Sequence, residues 1–71
     1  MSENKFLDLL VDLMDTESEL TMNMQLDDIE EWDSLSYVAF LAMATRQTGR
    51  RIEPSEVKAA RTVKDLYELV K

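Results

Sequence analysis

The residue best placed to do chemistry is a serine that follows a group of carboxylates near the middle of the chain. Ser34 stands in the run Trp32-Asp33-Ser34-Leu35, directly after the acidic segment 27–31. A serine hydroxyl becomes a good nucleophile only when a neighbouring base activates it. The chain has no histidine and no cysteine, so the usual general base, the thiol nucleophiles and any Ser-His-Asp triad are missing. We therefore expect Ser34 to be inert on its own and the protein not to be an enzyme.

Ser34 also falls where a helix is predicted to begin, which leaves two roles open. Asp33 is a good N-cap, and Asp33-Ser34 could serve only as an ordinary capping dipeptide. Alternatively, Ser34 could carry a phosphate group, because the free N–H groups and partial positive charge of a helix N-terminus stabilise an attached anion.

The carboxylates around Ser34 raise the question of a metal site. They are Asp27, Asp28, Glu30, Glu31 and Asp33. A calcium loop needs oxygen ligands at fixed offsets and a glycine for its turn, and this segment has neither. The single glycine of the chain also excludes a glycine-rich phosphate loop or dinucleotide motif. We expect no dedicated metal site.

The acidic segment belongs to a chain whose charge is unevenly distributed. The net charge is −7, with eleven acids and one base in residues 1–34, a net of −10, and four acids and seven bases in residues 35–71, a net of +3. Acidic surfaces repel nucleic acid and anionic lipid, and no apolar run approaches the ~20 residues of a membrane span. We therefore expect no nucleic acid or membrane partner. A protein with a basic patch that contacts the four acids of segment 27–31 is favoured, unless the acids only solubilise the domain.

Apolar periodicity predicts the elements that position Ser34. Over residues 3–14 the apolar residues recur at helical spacing behind Ser2, a suitable N-cap. The next nineteen residues, 15–33, contain no glycine or proline and follow no helical period. Within this segment, four apolar residues alternate with polar ones, as they do in a strand: Leu20, Met22, Met24 and Leu26. Because nothing else alternates to pair with it, we instead expect a long loop that these side chains, Ile29 and Trp32 hold against the core.

The second half of the chain has clearer helix boundaries. Residues 34–48 form a predicted helix that ends at Gly49. A short third helix follows a proline over roughly residues 55–60, and the last helix opens at Thr62, which forms a capping box with the aspartate three residues later. We expect an all-α fold and a single domain over residues 1–71. The fold is a small four-helix bundle, with three main helices, a short third helix and a long loop after the first helix.

Asp33-Ser34-Leu35 and the segments that follow it resemble the acyl and peptidyl carrier protein family. The tripeptide matches the family's Asp-Ser-Leu motif, and the similarity continues through Ile52-Glu53-Pro54 to Thr62-Val63-Lys64-Asp65-Leu66. With the first helix and the long loop, the resemblance covers essentially the whole chain.

The resemblance implies a function that needs no catalytic group in this chain. In this family the serine, here Ser34 flanked by Asp33 and Leu35, receives 4′-phosphopantetheine from coenzyme A. A separate phosphopantetheinyl transferase supplies the base and magnesium. The thiol of the arm then holds an acyl, aminoacyl or polyketide group as a thioester and presents it to acyl-transferring, ligase or synthase enzymes. The implied protein is a monomeric, cytoplasmic acyl carrier protein.

Three departures from the family pattern favour a specialised pathway over primary fatty-acid synthesis. Glu31 stands where glycine is common, which implies either a strained positive φ or a different turn. Residues 35–52 contain no acid, although the corresponding helix is acidic in fatty-acid carriers. Small residues stand at the positions expected to face a bound acyl chain: Ala44, Thr48 and Ala60. Two alternatives stay open, a carrier of primary fatty-acid synthesis and an unmodified acidic adaptor that binds a basic protein.

The second helix is apolar nearly all round. From Leu35 to Ala44 only Ser36 is plainly polar, and a bundle this small can cover only one broad face of it. The face expected in the core comprises Tyr37, Phe40, Leu41 and Ala44. The opposite face is an apolar strip that comprises Leu35, Val38, Ala39 and Ala42. We expect this apolar strip to be exposed and to contact partner enzymes, unless the long loop folds back over it.

Overall fold

The computed structural model describes residues 2–17 and 19–71, and the regular structure within them is helical. The helices are α1 (Glu3–Met14), α2 (Ser34–Thr48), α3 (Pro54–Ala59) and α4 (Val63–Val70). A long loop with one short 3₁₀ turn joins α1 to α2. The predicted bundle is confirmed, although α3 begins one residue early because proline itself occupies the first helical position. Within the described ranges, no helix has the length and apolar character needed to span a membrane.

Predicted residues fix the helix ends at Ser2, Thr62 and Gly49, and Asp15 fixes one that was not predicted. The Ser2 hydroxyl accepts a first-turn N–H of α1 at 3.1 Å, and the Thr62 hydroxyl does the same for α4 at 3.2 Å. Each bond satisfies a backbone donor that has no partner inside its helix. Gly49 ends α2 in the left-handed region at φ 69°, which glycine adopts without strain. Asp15 ends α1 in the same region at φ 51°, a conformation that aspartate tolerates better than most residues.

The long loop pairs with the segment that precedes α4. An isolated antiparallel bridge joins Gln25 to Thr62. The Val63 N–H donates to the Met24 carbonyl at 3.0 Å, and the next N–H of α4 donates to the Met22 carbonyl at 2.9 Å. Loop carbonyls thus satisfy first-turn N–H groups that have no partner inside α4. The loop predicted for this segment is confirmed, because one isolated bridge is too short to make a strand, but its pairing with Thr62 was not predicted.

One aromatic side chain of α1 stands where the three main helices meet. Phe6 is fully buried, and its ring meets Phe40 of α2 edge-on with the centroids 6.4 Å apart. The ring of Tyr67 of α4 lies 5.3 Å from Phe6, also edge-on, an arrangement that aromatic quadrupoles favour. The loop adds three buried side chains to the same core: Leu20, Leu26 and Ile29. The predicted attachment of the loop to the core is therefore confirmed.

The inner face of α2 is the one that periodicity predicts. Phe40 and Ala44 are fully buried, and Tyr37 and Leu41 are half-buried against the core. Met43, a residue outside the predicted set, is buried as well. The inner face of α2 therefore carries its aromatic side chains with Met43 and Ala44, while Leu35 and Val38 are left outside.

A matched pair of leucine variants tests this division between core and surface. Leu66 is fully buried in α4, whereas Leu35 is 80% exposed on α2. We expect Leu66→Ala to lower the free energy of unfolding by about 2–5 kcal/mol, since it leaves a cavity in the core. Leu35→Ala should change it by less than about 0.5 kcal/mol. Urea denaturation followed by circular dichroism measures both values, and equal losses would contradict the packing of Leu66.

Candidate functional site

Ser34 is the first residue of α2 and is exposed to solvent. Its hydroxyl makes no hydrogen bond to any residue that the structure describes. It stands at the end of the helix where backbone N–H groups lack intrahelical partners. Another molecule can therefore reach the hydroxyl directly, and Ser34 does not itself serve as the cap.

Asp33 is the residue that caps α2. Its Oδ1 atom accepts the Ser36 N–H at 3.0 Å, and its backbone is extended. This hydrogen bond from the Ser36 backbone stabilises the charged form and lowers the pKa of Asp33 below its ordinary value of 3.8. The predicted N-cap is confirmed, and an anion stands next to Ser34 at neutral pH.

Two contacts hold the approach to α2 in place. The buried Ser36 hydroxyl donates to the Glu31 carbonyl at 2.7 Å. The Trp32 ring meets Phe40 edge-on with the centroids 6.2 Å apart. From the sequence, Ser36 is predicted only as a polar interruption of an apolar helix, whereas in the structure it joins the preceding turn to the helix. A polar residue within an apolar helical run, three positions after the cap, is the signal that could have identified it.

The acidic turn, which comprises Asp27, Asp28, Glu30 and Glu31, leads into this junction. The first three are exposed and Glu31 is half-buried. Among the described residues other than glycine, only Asp15 has a positive φ, so Glu31 is unstrained and the turn is simply a different one. Nowhere in the described ranges do three or more metal-ligating side chains converge on a possible ion site.

The apolar strip runs along the outside of α2 and begins next to Ser34. Leu35 is 80% and Val38 60% exposed, and Ala39 and Ala42 are exposed as well. The loop side chains that could have covered the strip pack against the core instead: Met22, Met24 and Trp32. The prediction that the strip is exposed is confirmed, and the alternative in which the loop covers it is wrong.

An open groove of about 430 Å³ lies beside Ser34 and connects α2 with α3. Its lining residues are Trp32, Asp33, Ser34, Tyr37 and Lys58. The sequence holds no signal for Lys58, because its position depends on how the short helix α3 packs against α2. The three small residues at expected acyl-facing positions do not line this groove: Ala44, Thr48 and Ala60.

A protein-family model described as a phosphopantetheine attachment site matches residues 4–70 of the chain. The chain belongs to this family. Comparisons with curated proteins and with solved structures gave no match. The protein is therefore a carrier with a covalently attached 4′-phosphopantetheine.

The lowered pKa values of two capping carboxylates predict how the stability of the carrier depends on pH. The pKa of Asp65 is lowered, chiefly by the Arg61 N–H, which donates to its carboxylate at 3.0 Å, and the pKa of Asp33 is lowered by Ser36. Such a group contributes stability that is present above the unfolded pKa of about 3.9 and is lost as the pH falls through the lower folded pKa. We therefore expect both carboxylates to contribute to a decrease in the free energy of unfolding as the pH falls below about 4.

Thermal and urea denaturation across this acidic range measures the effect. The variant Asp33→Asn/Asp65→Asn keeps acceptor oxygens for both caps but cannot titrate, so its stability should decrease less steeply. Asp8→Asn is the control, since Asp8 is exposed within α1 and caps no helix. If the free energy of unfolding decreases equally steeply with falling pH in the double variant and in the control, the caps are not the cause of this pH dependence.

Proposed function

We propose that Ser34 is the residue to which phosphopantetheine is attached. The observation that carries this proposal is the exposed hydroxyl at the start of α2, with no hydrogen bond to the described residues. Ser36 offers no comparable site, since its hydroxyl is buried and bonded to the Glu31 carbonyl. The positive end of the helix dipole stabilises an attached phosphodiester. Asp33 and Leu35 flank Ser34 as they do in the family's motif.

Ser34 contributes the hydroxyl, and the transferase contributes the base. Asp33 is a poor base because its carboxylate is held by the Ser36 N–H and its pKa is lowered. In the transfer, the Ser34 oxygen bonds to the phosphorus of the pantetheine phosphate, the phosphoanhydride bond to the nucleotide of coenzyme A breaks, and the hydroxyl proton passes to the transferase. The attached group then supplies a thiol, which this cysteine-free chain lacks, to hold the cargo as a thioester.

We further propose that this carrier serves a specialised acyl, aminoacyl or polyketide pathway. The supporting observation is that residues 35–52 hold no acid and that the outer face of α2 is apolar instead. A partner enzyme that binds carriers through ion pairs to acidic side chains of this helix therefore has no such side chain to bind over residues 35–52. Primary fatty-acid synthesis is the alternative pathway. A single domain over residues 1–71, a monomeric state and a cytoplasmic location stay predictions.

The surface around Ser34 suits partner proteins in two ways. The acidic turn, mostly exposed, attracts a basic patch over a distance of about 10 Å at moderate salt. The apolar strip stabilises a complex only when a partner covers it and excludes water from it. We propose that the phosphopantetheinyl transferase and the acyl-transferring, ligase or synthase enzymes use both surfaces, the first for encounter and the second for contact.

A pair of serine variants tests the attachment site. With coenzyme A and a broad-specificity transferase, the wild type and Ser36→Ala should each gain the mass of one phosphopantetheine, and Ser34→Ala should gain none. Ser34→Ala should lower the free energy of unfolding by less than about 1 kcal/mol, because no hydrogen bond is lost. Ser36→Ala should lower it by about 1–3 kcal/mol, because it breaks a buried hydrogen bond. Intact-protein mass spectrometry and urea denaturation provide the two readouts.

Modification of Ser34→Ala would place the attachment elsewhere. An unmodified wild type with every transferase tried would favour the acidic adaptor. Because both variants lose a single hydroxyl near the start of α2, general damage to the helix cannot imitate the expected pattern.

Stopped-flow binding to the transferase tests the two proposed surfaces. Neutralising the acidic turn (Asp27→Asn, Asp28→Asn, Glu30→Gln and Glu31→Gln together) should slow association and weaken its dependence on salt. Val38→Glu or Ala39→Glu should accelerate dissociation instead, while the melting temperature stays nearly unchanged because the strip is exposed.

Each of these variants has a matched control. Glu3→Gln, Asp8→Asn, Asp12→Asn and Glu17→Gln together remove the same charge from exposed positions outside the acidic turn. Gln47→Glu adds one exposed acid to α2 outside the strip. If the charge control slows association as much as the acidic-turn variant, only net charge matters. If Val38→Glu or Ala39→Glu unfolds the domain, the strip belongs to the core.

A further inference from the structure

The groove beside Ser34 has walls that other parts of the protein hold in place. The Trp32 ring packs against Phe40 with the centroids 6.2 Å apart. The Tyr37 hydroxyl donates to the Pro54 carbonyl at 3.1 Å, which ties this side chain to the start of α3. Both aromatic residues are half-buried, so each exposes part of its surface. The groove is therefore preformed, and a group that enters it meets apolar surface already in position.

Lys58 gives the groove a positive charge in an otherwise acidic region. It is exposed on α3, and no carboxylate of the described residues forms an ion pair with it. The other charged residue in the groove is Asp33, whose carboxylate is held by the cap of α2. The ammonium group of Lys58 is thus available to an anion that enters from the Ser34 side.

We propose that this groove holds the phosphate end of the carrier's own phosphopantetheine arm, with Lys58 paired to the phosphodiester. The proposal rests on attachment at Ser34, because Ser34 lines the groove and any group on its oxygen begins there. The phosphodiester carries a negative charge and lies beside the Asp33 carboxylate, so it benefits from a nearby cation. The next part of the arm carries two methyl groups on one carbon, which match the apolar surface of Trp32 and Tyr37.

The position and open shape of the groove limit what it can hold. Because it is open to solvent and its lining residues lie next to Ser34, the proposal places only the near part of the arm against the protein and leaves the distal thiol free for partner enzymes. The protein therefore fixes the direction in which the arm leaves Ser34, while the thioester stays accessible to partner enzymes. Lys58 acts here as a positioning residue, with no part in the transfer chemistry.

Tryptophan fluorescence tests this proposal directly, because Trp32 is the only tryptophan of the chain. Unloaded protein and protein loaded by coenzyme A and transferase are compared by acrylamide quenching and by amide NMR shifts. We expect loading to reduce quenching of Trp32 and to shift the amide resonances of Tyr37 and Lys58. In Lys58→Ala, loading should protect Trp32 from quenching less well, because loss of an exposed ion pair lowers the equilibrium constant for docking of the arm by up to about fivefold. The ³¹P resonance of the loaded protein should also move. Lys64→Ala, which removes an exposed lysine of α4 outside the groove, should behave as the wild type.

The two proposals fail in different ways. Absence of the mass gain in the wild type contradicts attachment itself. A loaded protein with unchanged Trp32 quenching, and with amide shifts confined to residues 33–35, shows an arm that is free in solvent and overturns the groove proposal alone. Equal effects of Lys58→Ala and Lys64→Ala would replace the specific ion pair with general electrostatic attraction.

Discussion

Two hydrogen bonds that meet at Ser36 determine how the chain enters α2. Its backbone N–H donates to the Asp33 carboxylate at 3.0 Å, and its buried hydroxyl donates to the Glu31 carbonyl at 2.7 Å. One residue therefore connects the cap of the helix and the turn that precedes it. Because Asp33 and Ser36 bond to the local backbone, the Ser34 hydroxyl between them is left without a hydrogen bond to the described residues. The proposed attachment position at Ser34 is accessible because its neighbours perform the capping.

The size of the chain explains why the long loop contributes to the core. A domain of about this length buries only roughly 60% of the surface that its unfolded chain exposes, and α3 is a helix of six residues. Three loop side chains, Leu20, Leu26 and Ile29, complete the core around Phe6. The bonds between the loop and the start of α4 hold the loop in this position. The same packing that stabilises the domain also fixes the direction from which the acidic turn reaches α2.

The features that were predictable from the sequence are those with local causes. The caps at Ser2, Asp33 and Thr62 depend on residues three positions apart, and the buried and exposed faces of α2 follow from a period of 3.6 residues. The features that escaped prediction depend on distant segments. The bridge between Gln25 and Thr62 requires a register that no local pattern encodes, and Lys58 reaches the groove only through the packing of α3 on α2. The Ser34 motif was recognisable, whereas the aromatic and cationic groove beside it was not.

For the partner enzymes proposed above, the arrangement of charge and apolar surface around Ser34 separates two steps of recognition. Electrostatic attraction acts over about 10 Å at moderate ionic strength, whereas apolar contact acts only after water has been excluded. The acidic turn precedes Ser34 in the chain, and the apolar strip follows it on α2. In the proposed encounter, a basic partner is attracted toward one side of Ser34 and makes close contact on the other, so both interactions bring Ser34 to the interface. Since no acid occurs over residues 35–52, the proposed contact on that side relies on the apolar surface of the strip and not on ion pairs to acidic side chains.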